Sequence, residues 1–426
     1  MTLLIKDCSM LDVVQGKVLD HMDIYIEGSK ILRLGRNLNM VADEVWDGQD
    51  KFVVPGFING HTHLGMSLLR NYADDMNLQT WLTEAIWPIE AKLNPKDIYW
   101  GSLLSMAEMI RSGATCFCDQ YYAMDQVGDG ALKIGMRGIL TRGLIEDEKS
   151  QEKLEETRDL YKNYHGAGNG RLRVVPSPHA IYTCGTDYLK EVIAMAHDMD
   201  GVINIHMSET EKEVEDCVQD HGMTPIAYID SLGMLDLHVI AAHCVHMTEE
   251  EMDLVKGKDF YPIYNPSSNL KLASGFTPVQ KMKDKGITLG IGTDGDSSNN
   301  NQNILEEVHV GSIVNKAVNM DPKAMPAIDM VRMATIDGAK ALGWADEIGS
   351  IEEGKKADLT IFNLKSASFT PRNNLISALC YSAQAEDVES VLIDGEVVMK
   401  DRVLTKIDYE GILSMVQDRM NQLLTR

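Results

Sequence analysis

Short apolar runs, broken every few residues by Gly, Asp or Asn, open the chain. LLIKDC, DIYIEG, KILRLG, EVWDG and KFVVPG follow one another over residues 2 to 54. Runs of this length, without a helical period, read as strands. The same texture returns near the end in DLTIFN (358–363) and VESVLIDGEVVMKDRVL (388–404). Asp394-Gly395 within the second run is a hairpin signal, because it supplies the positive φ angles of a tight turn. Two β-rich ends around a different middle predict one small β-sandwich assembled from both, over residues 1–56 and 357–406. Residues 407–426 follow as a helix, with Ile412, Leu413, Met415, Val416, Met420 and Leu423 at helical spacing.

The middle, residues 57–356, alternates differently. Eight apolar strand candidates recur: FINGHTH, ATCFCDQ (114–120), MRGILTRG (136–143), RLRVVPSPH (171–179), GVINIHMSE (201–209), LHVIAAHCVH (237–246), DFYPIYNPSS (259–268) and ITLGIGTDG (287–295). Helix-sized segments such as 95–112, 148–164, 187–197 and 210–219 lie between most of them. Strand and helix repeating eight times predict an α/β fold, a parallel (β/α)₈ TIM barrel.

The polar residues fall in one place along that pattern. His61 and His63 end strand one, Arg142 strand three and His179 strand four. His206 and Glu209 end strand five, His243 strand six and Asp294 strand eight. All eight C-terminal ends of such a barrel meet at one mouth, where active sites are built. Alternate residues of a strand share a face, so His61 and His63 point the same way, as two imidazoles gripping one metal ion would. Taken singly each residue has a plainer explanation. A histidine in an apolar strand is more often a hydrogen-bonded core residue, and Asp294 in TDG suits a turn. The joint occurrence is far harder to obtain by accident.

Composition narrows the partners. Lys+Arg of 40 against Asp+Glu of 64 leaves a net charge of −24. An acidic surface repels phosphate backbones and anionic lipids, so neither nucleic acid nor membrane is expected. No apolar run reaches membrane-span length, and the opening residues lack a signal-peptide pattern. The seven scattered Cys fit free thiols in a reducing cytoplasm. The Cys116/Cys118 pair alternates within a strand candidate and reads as buried positions. A small-molecule substrate is expected, and the sequence leaves room for a homo-oligomer.

With these residues in view, the sequence resembles the amidohydrolase superfamily, above all its branch of methylthioadenosine/S-adenosylhomocysteine, guanine and triazine hydrolases. PGFINGHTH (55–63), LQTWLTEAIWPIE (78–90), INIHMSET (203–210), AAHCVH (241–246) and GIGTDG (290–295) carry the resemblance. It implies that His61, His63, His206 and Asp294 bind one divalent metal, zinc or alternatively iron. Binuclear relatives use a lysine at the end of strand four. Here RLRVVPSPH ends in His179 without one, which favours a single metal. The implied reaction is removal of the 6-amino group of an adenosine-type nucleoside, such as 5-methylthioadenosine, S-adenosylhomocysteine, adenosine or 5-deoxyadenosine, by a metal-bound hydroxide. Asp294 would accept the water proton, His243 would hold the hydroxide, and Glu209 would carry a proton to the ring and then to the amine. Glu209 alternatively serves a helix start, since Ser208 and Glu211 have capping-box spacing.

The same resemblance gives Glu90 the ribose hydroxyls, and Arg142 and His179 the nucleoside or its 5′ substituent, with Glu209 and Asp294 also touching substrate. Trp81 and Trp87 either cover the base or anchor their own segment. Arg137 is considered for a carboxylate-bearing substrate, and Asn299 to Asn301 form a polar loop without an assigned purpose. Two other readings stand beside the adenosine one: the same site acting on guanine or a triazine, and a non-catalytic metal-binding barrel.

Overall fold

The computed structural model describes residues 2–76 and 80–426. Leu78 and Gln79 of the 78–90 motif lie outside the described residues. Both chain ends share one nine-stranded sheet. β1 (Thr2–Asp12), β2 (Lys17–Glu27), β3 (Lys30–Gly35), β4 (Glu44–Asp47) and β5 (Lys51–Pro55) come from the start. β5 then pairs antiparallel with a strand from the far end, Leu359–Asn363, which leads to Val388–Ile393, Glu396–Lys400 and Val403–Leu404. Leu3, Ile5, Cys8, Met10, Ile24, Ile26, Val53, Ile361 and Leu392 from these strands close on a single apolar core. Inward positions on β1 skip parity between Ile5 and Cys8. A register shift there, with Asp7 at φ 60°, absorbs the extra residue.

The barrel begins two residues after β5. Its strands are β6 (Phe57–Thr62), β7 (Ala114–Tyr121), β8 (Arg137–Leu144), the pair β9 (Leu172–Val174) and β10 (Ser177–Pro178), β11 (Val202–Met207), β12 (His238–His243), β13 (Phe260–Tyr264) and β14 (Gly290–Ile291). All adjacent pairs are parallel. The staves form two arcs joined by single backbone bonds: Asn204 and His206 donate to Pro176 and His179, and Asp294 donates to His61. At that last seam the chains nearly touch. A side chain on Gly292 would lie 2.7 Å from the His61 nitrogen, so only glycine allows strand eight to close on strand one.

Side chains sort by the strand period. Ile203, Ile205 and Met207 face the surrounding helices, while His206 on the alternate parity faces the barrel axis. Ile58, Cys116, Cys118, Ile139, Val175, Ile240 and Ile263 plug the floor of the barrel. Both members of the CxC pair are therefore core residues, and all seven cysteines are free and buried. The closing helix Tyr409–Leu423 lays Met420 and Leu423 against Leu69, Trp81, Ile86 and Ile89 beside the mouth. Among the described residues no helix is long and apolar enough to cross a membrane.

Candidate active site

Above the apolar plug the strand ends turn polar. His61, His63 and His206 bring ligand atoms within 4.8 Å of one another, and so do His61, His243 and Asp294. Asp294 Oδ1 lies 3.2 Å from His63 Nε2 and 3.5 Å from His61 Nε2, and His63 and His206 approach to 3.4 Å between their Nε2 atoms. A tetrahedral site with bonds of about 2.0–2.1 Å needs ligand separations of about 3.3–3.4 Å. The hydrogen bonds prepare the same arrangement. Nδ1 of His63 donates to the Gln120 carbonyl at 2.5 Å, and Nδ1 of His206 donates to the His179 carbonyl at 2.7 Å. Both rings thus turn Nε2 inward. Both nitrogens of fully buried His61 lack a hydrogen-bond partner, a costly state unless a cation takes one of them.

Backbone strain aims part of this set. His243 shares strand parity with Val239 and Ala241, which pack outward, but its φ of 74° swings the ring to the axis. Asp294 sits at φ 65°. Left-handed backbone at a non-glycine residue costs of order 1–3 kcal/mol, and it clusters at functional sites.

Burial is the largest influence on Asp294 and opposes its ionisation, yet the close approach of the His61 and His63 imidazoles outweighs it and holds the carboxyl well below its usual range. Burial also pulls His61 down to about 4. At His63 burial acts in the same sense, but Asp294 overrides it and lifts the ring to about 9. Glu209 is buried, and burial raises its pKa. Its carboxylate lies 3.9 Å from His243 Nε2 and accepts a long 3.4 Å bond from Ser274.

One cavity gathers His63, His206, Glu209, His243 and Asp294 with Glu90, Arg142 and His179, so all but His61 of the sequence-predicted site residues line it. His61 lies under its floor, fully buried. Glu90 accepts a hydrogen bond from the Tyr121 hydroxyl, and burial raises its pKa. Arg142 bonds Glu156 at 2.7 Å. Trp81 is both wall and anchor: its indole donates to Ala73 at 3.0 Å and its ring packs with Ile86 and Ile89. Trp87 lines the same cavity and is 46% exposed.

The chain matches the amidohydrolase family profile over residues 52–398. The chain belongs to the amidohydrolase family. A 5-methylthioadenosine/S-adenosylhomocysteine deaminase of Thermoanaerobacter pseudethanolicus is 49% identical to it over 431 positions, covering 100% of both chains. An adenosine deaminase from Xanthomonas campestris, solved with bound zinc, superposes with a TM-score of 0.96 at 31% identity over 100% of this chain and 99% of that one. An atrazine chlorohydrolase from Arthrobacter aurescens, complexed with zinc, shares the fold at a TM-score of 0.92, with 22% identity over 98% of this chain and 100% of its own. This amidohydrolase carries a site for a single divalent metal ion.

Two sequence expectations are corrected, and the unassigned polar loop gains contacts. Arg137 starts β8 and lies at the barrel floor, away from the mouth. It is 1% exposed, bonded to both carboxylate oxygens of Asp358 at 2.7 and 3.1 Å, and stacked over Trp344. It fastens barrel to sheet and meets no substrate. The capping box expected at Ser208 and Glu211 does not form. Thr210 caps the helix Glu211–His221 instead, and the Glu209 side chain turns to Ser274 and His243. The Asn299–Asn301 loop has a role: Asn299 bonds the Thr293 carbonyl and Glu307, and Asn300 donates to Asn71 across the mouth.

Other residues of this amidohydrolase escape sequence reasoning. Ser268 and Ser298 donate to Asp294 Oδ2 at 2.6 and 2.9 Å, and Oδ1, which accepts the Gly295 amide at 2.8 Å, faces the imidazoles. Gln302 accepts from Thr62 and Thr293 and donates to the Asp294 carbonyl, knotting strand one to strand eight. Serines and glutamines are too common along a chain to give a local signal of this kind.

Proposed function

We propose that this amidohydrolase removes the 6-amino group of adenosine-type nucleosides by hydrolysis, with 5-methylthioadenosine and S-adenosylhomocysteine as the first candidates. The observation that carries this reading is the single cavity that holds Glu209 above the histidine–aspartate cradle and opens toward Glu90 and Arg142. The full-length relative of that name and the adenosine deaminase structure support it.

His61, His63, His206 and Asp294 would hold the cation, zinc by the ligand set of the cradle and by the zinc in the similar structure. When bound, it supplies Lewis acidity, making water acidic enough to lose a proton near neutral pH. The rest falls to the side chains. A C6–O bond forms from water and the C6–N bond breaks. One water proton ends on the ring nitrogen and the other on the departing amine, which leaves as ammonia. Glu209, its pKa raised by burial, would carry a proton to the ring. His243 would hold the attacking water through Nε2, while its Nδ1 lies 2.9 Å from Asn269 Oδ1 and 3.3 Å from Asn265 Nδ2. Glu90 accepts from the ribose, and Arg142 and His179 line the side that receives the 5′ group.

Metal-replete protein offered 5-methylthioadenosine, S-adenosylhomocysteine, adenosine, 5′-deoxyadenosine and guanine tests the reading. Ammonia release and the ultraviolet change from adenine to hypoxanthine are followed. Turnover of at least one adenosine derivative is expected, and turnover of none sinks the proposal. Glu209→Gln is expected to keep its metal and lose about 10²–10⁴ in kcat.

A further inference from the structure

Glu213 occupies the third position of the helix Glu211–His221, capped by Thr210. A glutamate there ordinarily reaches back to the amide of the cap residue itself. Glu213 reaches further. Its two carboxylate oxygens accept from the amides of Ser208 and Glu209, each at 2.8 Å. These are the two residues ahead of the cap. Ser208 has φ 48°, so the successive amides turn toward one point and form a concavity that a carboxylate fills. Glu213 is 4% exposed, so nothing in solvent competes for these bonds.

The side chain of Glu209 has little of its own to fix it. Its oxygens meet only the long 3.4 Å bond from Ser274 and the 3.9 Å approach to His243 among the described contacts. The direction of its carboxylate is therefore set by the backbone it leaves from. That backbone is bent at Ser208 and clamped by Glu213. We propose that Glu213 is a positioning residue for the reaction: it holds the strand-five turn so that Glu209 points into the cavity over the metal cradle. This inference rests on the reading of Glu209 as the proton carrier.

The isosteric Glu213→Gln variant tests it, because the amide nitrogen puts a donor against one of the two backbone donors. Expected is a fall in kcat per metal-loaded enzyme of about 10- to 100-fold, with KM within about threefold of wild type and metal content unchanged. Thr210→Ala is the control for stability. It removes the 3.2 Å cap bond from the Glu213 amide but leaves the carboxylate clamp, so it lowers Tm while kcat stays within about twofold. If kcat in Glu213→Gln falls no further than in Thr210→Ala, Glu213 is structural only and the proposal is overturned. If Glu213→Gln keeps wild-type kcat while Glu209→Gln is inactive, the positioning role fails and the proton-carrier reading survives. A fully active Glu209→Gln overturns both. Should Glu213→Gln not fold, Glu213→Asp, too short to reach both amides, decides on the same kcat ratio.

Discussion

His63 and His206 face each other with 3.4 Å between their Nε2 atoms, while each Nδ1 donates away to a backbone carbonyl. In the neutral ring that tautomer leaves Nε2 as a bare lone pair. Two lone pairs at that distance repel unless a positive charge lies between or beside them. A proton on His63, favoured against burial by Asp294, answers the problem in part. A divalent cation answers it for His61, His63, His206 and Asp294 together. Strand ends five and one are thus built around a charge that the protein's own atoms do not supply.

Removing that cation should destabilise the fold as well as stop turnover. An ion that binds only the folded state at 1,000 times its Kd stabilises by about 4 kcal/mol. Dialysis against a strong chelator is expected to lower Tm and abolish deamination, and added zinc to restore both. Calorimetry and ammonia assays on the same samples check this. Unchanged Tm and rate after verified metal removal would contradict it. His206→Ala should mimic the stripped state, whereas Glu209→Gln should not.

What the sequence made legible follows from periodicity. Apolar strands ending in His61, His63, His206, His243 and Asp294 could be lined up because a parallel barrel sends every strand end to one mouth. The supports of those residues could not. Ser268, on the short helix Pro266–Lys271, and Ser298 and Gln302, in the loop after strand eight, reach Asp294, and their contacts depend on closure of strand eight on strand one. The helix start at Thr210, two residues beyond the expected cap, turns on a left-handed Ser208 that no pattern announces. The place of Arg137 is not legible locally, because its partners, Asp358 and Asp394, lie far along the chain in the terminal sheet.

Arg137 accordingly affects stability and leaves chemistry alone. Arg137→Met leaves Asp358 buried without its bidentate partner. Breaking such a pair by removing one member costs about 3–5 kcal/mol. Denaturant unfolding should show a loss of that order, while kcat of the folded fraction stays near wild type. A specific rise in KM without loss of stability would return Arg137 to the substrate site.

Glu90 separates sugar recognition from base chemistry. Its carboxylate is already engaged on one oxygen by Tyr121, which leaves the other for ribose. Glu90→Ala is expected to cost about 10- to 100-fold in kcat/KM for ribosides, the worth of roughly one charge-assisted hydrogen bond of 1.5–3 kcal/mol. For free adenine, which has no hydroxyls to lose, the change should be small. Equal losses on both substrates would place Glu90 in folding of the Trp87–Glu90 turn instead.

Glu307 supplies a test by pH. It is fully buried, and burial lifts its pKa from 4.5 to about 7 despite bonds from Ser267 and Asn299. Between those values the folded chain keeps a proton that the unfolded chain has released. The native state then binds more protons, so stability falls as pH rises across this window and the loss is complete above about 7. At 1.36 kcal/mol per pKa unit the span is roughly 3 kcal/mol. Asp119 and Glu213, also raised by burial to about 7, share the trend, so the difference between wild type and Glu307→Gln isolates one residue. Glutamine keeps an acceptor for the Ser267 amide and never ionises. Urea unfolding at pH 5 and pH 8 should therefore show the variant losing less stability with rising pH than wild type. Parallel pH curves for the two proteins would show that Glu307 is already ionised at pH 5, held by Ser267 and Asn299 strongly enough to cancel the cost of burial.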